Sequence, residues 1–320
     1  MTRRPEETEP PSTRRRPLLL SLCGAVAISG ANGWASAPPE LDRAVVYAPE
    51  DLVERLPVEV NERVEYWMRH YQGDQRAIFQ RFLEREGLYS KLIRDRLRER
   101  GMPQELLYLA MVESGFSARA RSRVAAVGMW QFMSPTAKEY GLRVDAWVDE
   151  RRDPVRATEA ALVYLQWLHD RYGSWYLAAA AYNAGPSRVD RALRRSGLRR
   201  GEEAIYWDVV HHLPRETREY VPKILAATIL SARAEELGFQ FEPDSPYEYD
   251  RVWVPGGTSL RVLAESLGLA PERLRDLNPH LIQGVTPPDG LTHELRVPRG
   301  KASQVVASMN RRRWSRFADD

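Results

Sequence analysis

The stretch "ELLYLAMVESGFSARA", Glu105–Ala120, decides how the rest of the chain is read. Gly101-Met102-Pro103 interrupts the chain just before it, and Pro103 suits a first helical turn, where its missing N–H is not needed. A helix is expected to run to about Ser114 and to stop at Gly115 in a left-handed C′ conformation. One and two turns upstream of Glu113 stand Leu109/Ala110 and Leu106, so the carboxylate shares their apolar stripe and should face the core side. Burial and the partial negative charge of a helix C-terminus both favour the protonated form, as a general acid requires. Acid–base assistance of that kind is worth ~10²–10⁴ in rate. A plainer reading competes: Glu113 pairs with an Arg, or reaches past the helix end into water. From this helix alone the plainer reading wins.

The chain around this stretch is helical in grammar. Upstream, between Leu52 and Arg100, Val64, Trp67, Met68 and Tyr71 fall at i, i+3, i+4 and i+7, and Ile78, Phe79, Phe82 and Leu83 continue the pattern. Downstream, Asp153-Pro154 reads as a helix start with Asp153 as its cap, and Ala161, Tyr164, Leu165 and Leu168 form one stripe. "WYLAAAAYNAG" sets four Ala between aromatics, which lets another helix approach closely. After "ETREYVPKILAATILSARAEELGF" the composition shifts to "QFEPDSPYEYD", a linker or boundary. From Tyr249 the grammar becomes β-α-α-β: "YDRVWV", a Pro-Gly-Gly turn, a short helix with Leu260, Leu263, Ala264 and Leu267 in register, a second from Pro271, and the strand "HELRVP". The tail "NRRRWSRFADD" carries no clear signal.

Composition bounds the function classes. At 43% hydrophobic and 28% charged the chain has the makings of a packed fold and is long enough for more than one unit. A pI of 9.0 invites a nucleic-acid reading. Yet the net charge is only +3, and the Arg residues alternate with Asp and Glu instead of forming one basic run. The N-terminus looks like an export signal: Arg14-Arg15-Arg16, the apolar "PLLLSLCGAVAISGA", then "GWASAPPE". The apolar segment is short and Gly-rich for a permanent span, and a retained anchor is the alternative. Cys23, the only cysteine, excludes an intramolecular disulfide. Its lipidation would have to follow the bulky Leu22.

Three further stretches give Glu113 company: "ARSRVAAVGMWQFMSPTAKEYGL", "AAAYNAGPSRV" and "ETREYVPKI". With "MVESGF", in this order, they resemble the lytic transglycosylase catalytic domain, related in fold to goose-type lysozyme, and most closely the membrane-bound lytic murein transglycosylase D group. The resemblance covers roughly residues 60–236. It implies that Glu113 is the single catalytic acid/base, and that Ser122, Gln131 and Met133 line the sugar subsites. It further implies that Tyr182 and Asn183 stand beside the carboxylate and that Tyr220 helps close the cleft. Each has a plainer reading: Trp130 and Met133 as core filler, Ser122 as a loop hydroxyl, Asn183 as a helix-ending residue, Tyr182 and Tyr220 as packed aromatics.

Ordinary glycosidases need two carboxylates. Here Asp153 reads as a cap, while Asp145, Asp149 and Glu150 fall in a loop expected to be polar and exposed. In the mechanism the resemblance implies, Glu113 protonates the glycosidic oxygen between MurNAc and GlcNAc while the substrate's N-acetyl group stabilises the anomeric carbon. Glu113 then takes the MurNAc C6 hydroxyl proton, giving a 1,6-anhydro end. A hydrolytic muramidase and a non-catalytic peptidoglycan-binding scaffold are the alternatives. The six His show no HExxH spacing, and His211-His212 reads as surface; no metal and no cofactor is expected.

The segment from about Tyr249 to Pro298 resembles a LysM peptidoglycan-binding module, with the helix–Asn278-Pro279 join its most telling piece. It would tether the enzyme to glycan and raise the local substrate concentration or, if degenerate, brace the catalytic domain. The expected fold is mainly α: a lysozyme-like helical catalytic domain with a small β-α-α-β LysM-like C-terminal domain. The expected layout is a signal peptide or anchor over 1–37, a helical lead-in over 38–100 and the catalytic domain over 101–236. A linker over 237–248, the LysM-like module over 249–300 and a tail over 301–320 follow. The implied setting is the periplasm or cell envelope with peptidoglycan strands as partner, no nucleic acid, and the N-terminus as the point of any membrane attachment.

Overall fold

The computed structural model describes residues 55–199 and 201–315. The proposed signal or anchor, Cys23 included, lies outside the described residues. Two helices open the ordered chain, α1 (Glu62–Gln72) and α2 (Arg76–Glu99). Asn61 starts α1 by accepting, through Oδ1, the amides of Arg63 and Val64 at 3.1 and 3.2 Å. The apolar stripe read from the sequence is the one that docks: Val64, Tyr71, Phe79 and Leu83 are buried, and Trp67, Met68 and Phe82 pack on the same core.

Pro103 does not open an α-helix directly. It leads a 3₁₀ turn, Gln104–Leu106, which tightens into α3 (Leu107–Ser114). All eight α3 residues are buried, so this short helix is the axis around which the others are laid. They follow as α4 (Ser134–Glu139), a 3₁₀ turn at Glu150–Arg152, α5 (Pro154–Tyr172), α6 (Trp175–Ala184) and α7 (Pro186–Arg195), then α8 (Ile205–Val209) and α9 (Arg215–Ala232). The four consecutive Ala of α6, residues 178–181, are buried, and α6 packs between α5 and α9. Two devices hold its N-terminus: Ser174 Oγ accepts Leu177 N at 3.1 Å, and the Glu203 carboxylate accepts the amides of Trp175 and Tyr176 at 2.7 and 2.8 Å. At the other side α1 is clamped to α9, with Arg63 Nη1 and Trp67 Nε1 donating to Glu219 at 2.6 and 2.9 Å.

Residues 239–249 form no helix or strand but lie along α2, where Asp244 N donates to Glu84 O at 2.8 Å and Tyr247 N to Leu88 O at 2.9 Å. The β-α-α-β order then appears as read: β1 (Asp250–Pro255), α10 (Leu260–Ser266), α11 (Pro271–Leu277) and β2 (Thr292–Val297), the strands antiparallel with Val252 opposite Leu295. Strand alternation turns Val252, Val254, Leu295 and Val297 onto a second core with Leu260, Leu263 and Leu274. Asn278 closes it: Nδ2 donates to Leu274 O and Arg296 O, and Oδ1 accepts Arg296 N. The tail begins with a further helix, α12 (Ala302–Ser315), whose Val305 and Met309 cover this core. Among the described residues no helix is long and apolar enough to cross a membrane.

One expectation fails. The loop holding Asp145, Asp149 and Glu150 is not uniformly exposed: Asp145 is, but Asp149 is 5% exposed and Val148 belongs to the second core. The physical reason is a guanidinium and a neighbouring unit that the local sequence does not announce, described below.

Candidate active site

Glu113 stands in the last turn of α3, 5% exposed. The helix stops as the sequence predicts, with Gly115 at φ 58° and its N–H donating to Met111 O at 2.7 Å. A Cβ at this position would sit 2.1 Å from the Phe82 ring. Phe116 keeps the left-handed turn at φ 59° and its N–H closes back on Ala110 O at 3.3 Å, which satisfies a further carbonyl of the helix end. Tyr220, 3% exposed on α9, donates its hydroxyl to Glu113 Oε1 at 2.6 Å. A short hydrogen bond to an acid inside the protein is among the stronger kinds and fixes the carboxyl rotamer.

The loop from Ala120 to Met133 is a small knot of backbone hydrogen bonds. Val127 and Phe132 exchange N–H···O bonds at 3.1 Å, and Gly128 N donates to Ala120 O at 2.9 Å. Gln131 sits at φ 50°, a conformation non-glycine residues rarely adopt, and its Nε2 donates to Gly128 O at 2.7 Å. Ser122 Oγ accepts Ala126 N at 3.0 Å within its own turn. Met133 is half-buried at the entrance to α4. Trp130 is core, as its plainer reading had it: wholly buried, with Nε1 donating to Thr158 Oγ1 at 3.0 Å.

Two further bonds tie this loop to the helices. Ser114, next to Glu113, donates Oγ–H to Met129 O at 2.8 Å, and Tyr182 Oη donates to Trp130 O at 2.8 Å. Asn183, 7% exposed, does more than end α6: its Oδ1 accepts Thr217 Oγ1 from α9 at 2.8 Å. Tyr220 is thus bonded directly to Glu113, while Tyr182 holds the loop at Trp130 O, Asn183 joins α6 to α9, and Gln131 bonds within the loop itself. Ser122 and Met133 belong to the same loop at its rim.

Sequence reading missed Arg151. Its guanidinium is buried, bidentate to Asp149 at 2.8 Å through Nε and Nη2, and donates Nη1 to Ala125 O and Phe132 O at 3.1 and 3.2 Å. Gly128 makes room for the Arg151 backbone, since a Cβ there would lie 1.7 Å from the Arg151 carbonyl oxygen. In "DERRD" nothing local distinguishes Arg151 from Arg152; only the carbonyls waiting some twenty residues away in sequence do.

The other carboxylates of this region have structural duties. Asp145 Oδ1 accepts the amides of Trp147 and Val148, and Oδ2 pairs with Arg143. Asp149 is held by Arg151, and Glu150 accepts Arg143 N at 2.7 Å. Asp153 caps α5 through Val155 N and Arg156 N at 2.8 and 3.0 Å, as the sequence suggests. Its other oxygen takes Arg296 Nη2 at 2.8 Å, and that charge together with burial-proof amide bonds holds the carboxyl below the usual range despite its desolvation.

Comparison with known proteins meets this geometry from outside. Residues 92–205 match the transglycosylase SLT domain, and residues 248–312 match the LysM-like domain of lytic transglycosylase MltD. The membrane-bound lytic murein transglycosylase D of Escherichia coli is 32% identical over 223 residues, covering 69% of this chain and 48% of its own. The soluble lytic murein transglycosylase of Escherichia coli is 30% identical over 145 residues, 43% of this chain and 22% of the relative. The solved 70-kDa soluble lytic transglycosylase of Escherichia coli aligns with 23% identity and a TM-score of 0.36 over 56% of this chain and 32% of that one, too loosely for any residue-level argument. The chain spans about half the length of the first of these relatives. It carries a transglycosylase SLT domain followed by an MltD-type LysM-like domain.

Proposed function

We propose that this protein cleaves the β-1,4 bond between MurNAc and GlcNAc of peptidoglycan without water, leaving 1,6-anhydroMurNAc ends. The observation that carries the reading is Glu113: a carboxylate 5% exposed, fixed by Tyr220 at 2.6 Å, while Asp145, Asp149, Glu150 and Asp153 are all committed to structural bonds. One acid must then serve twice. It protonates the leaving glycosidic oxygen, the substrate's N-acetyl oxygen stabilises the anomeric carbon, and the same carboxylate next accepts the C6 hydroxyl proton as the ring closes. Ser122, Gln131 and Met133 are assigned to the sugar subsites on the loop rim, Tyr182 and Asn183 to the frame beside the acid, and Tyr220 to its orientation.

The domain limits given by the sequence, the cell envelope as setting and peptidoglycan strands as partner belong to the same proposal. Exchange of Glu113 for Gln keeps shape and hydrogen bonding but removes the proton. Purified sacculi digested with the protein are expected to release muropeptides with anhydro ends by mass spectrometry, and Glu113→Gln to release none while keeping the wild-type circular dichroism. Reducing ends would instead assign a hydrolase, and no release from the wild-type protein a scaffold.

A further inference from the structure

The seam between the two units carries more than packing. Asp153 is 2% and Arg296 5% exposed, and their 2.8 Å pair joins the start of α5 to β2 across 143 residues. The Arg296 guanidinium also donates Nη1 to Tyr247 Oη at 3.2 Å and lies 5.0 Å from the Tyr249 ring centroid. Around this pair the loop 146–149 is bonded to the segment after α11. Asp149 N donates to His280 O at 2.9 Å, Ile282 N to Trp147 O at 3.2 Å, and Gln283 Nε2 to Ala146 O at 3.0 Å. Val148 pairs with Leu281 and enters the second core.

The clamped loop is the one that presents Asp149 to Arg151, and Arg151 is what holds Ala125 O and Phe132 O. From Phe132 the path is short: Met129 O to Ser114, and Trp130 O to Tyr182. A tether needs none of this. A flexible module would raise the local concentration of substrate with no bond to the catalytic loop at all.

We infer that the C-terminal unit is a positioning element of the active site, with Arg296 and Asp153 as positioning residues that hold the loop bearing Gln131 and Met133 onto the end of α3, beside Glu113 at Ser114, through Asp149 and Arg151. The inference rests on the transglycosylase reading for its rate consequences but not for its structural ones. Without the clamp, the segment that carries Asp149 loses its anchor on the C-terminal unit, the Asp149–Arg151 pair shifts with it, and the 120–133 knot that Arg151 holds at Ala125 O and Phe132 O loosens. A displacement of about 1 Å near reacting atoms can cost ~10²-fold.

The test uses the full chain. Asp153→Asn with Arg296→Met removes both charges while keeping the α5 cap and the apolar volume, a replacement buried pairs tolerate without unfolding. Arg296→Lys is the conservative companion. On short soluble glycan strands the double variant is expected to lose ~10- to 100-fold in kcat with KM little changed, and Arg296→Lys to recover part of the loss. Hydrogen exchange at the Val127, Gln131 and Phe132 amides should quicken by at least about tenfold, while α6 amides stay as in the wild type. A folded double variant with wild-type kcat and wild-type exchange at those amides overturns the inference. So does a loss confined to co-sedimentation with sacculi, the signature of a tether. If the wild-type protein makes no anhydro ends the function proposed above falls, and the exchange comparison alone still decides this one.

Discussion

Between Tyr220 and Glu113 the structure places a hydrogen bond of 2.6 Å, and its removal is the sharpest test at the scale of one residue. Tyr220→Phe keeps the ring and its packing and deletes only the donor. Leaving a buried polar group without its partner costs ~1–3 kcal/mol, so kcat on soluble glycan should drop by roughly 5- to 100-fold with a small change in KM. A variant as fast as wild type would show that the hydroxyl does not orient the acid. Gly115 is the other singular position: Gly115→Ala forces a side chain to φ 58° and into the Phe82 ring, so Tm should fall by the equivalent of ~2–4 kcal/mol in a thermal melt. Local chemistry of this sort is what a sequence discloses well. Gly115 as helix stop and Asp153 as cap were legible because each depends on neighbours within a few positions. Arg151 was not, because its acceptors lie at Ala125 and Phe132 and its reason for burial is three-dimensional.

Among the elements, α6 depends on a residue outside itself. Glu203 accepts two α6 amides and the Ser174 hydroxyl, so a full carboxylate stands against the positive end of the helix that bears Tyr182 and Asn183. Glu203→Ala should cost ~1–2 kcal/mol in urea unfolding, and an unchanged midpoint would mean that water caps the helix equally well. The order of helices and the β-α-α-β grammar could be read from periodicity, since the stripes at Val64–Tyr71 and Leu260–Leu267 meet cores that want them. The 3₁₀ entry to α3 and the helix over Ala302–Ser315 could not. The first is set by how α3 must be threaded into a fully buried position, and the second by an apolar surface on another element that Val305 covers.

At the scale of the whole molecule the seam makes stability depend on pH. Burial pushes His280 down to about 4 even though Asp153 lies 3.3 Å away, with Arg296 and Arg156 opposing its protonation. A histidine with a depressed native value binds its proton in the unfolded chain first, so native stability is present above about 6.5 and is lost as pH falls toward 4. Asp153, held low, adds loss in the same direction only at still lower pH, below 3.8. Urea midpoints should therefore decline from pH 6.5 to 4, and His280→Gln should flatten that decline; an identical slope in both proteins would place the titrating group elsewhere.

Val148 comes from the loop before α5 yet spends its side chain in the core built by β1, β2 and α10. Ownership of that residue is therefore ambiguous between the two halves, and recombination cannot respect a border drawn at the Pro-rich stretch near 240. A graft replacing the C-terminal portion with a foreign module would leave the Val148 side chain without its core and one oxygen of Asp153 without Arg296 together. Exchanging the module in this chain, as beads on a string are swapped, therefore requires exchanging the loop at 143–153 with it.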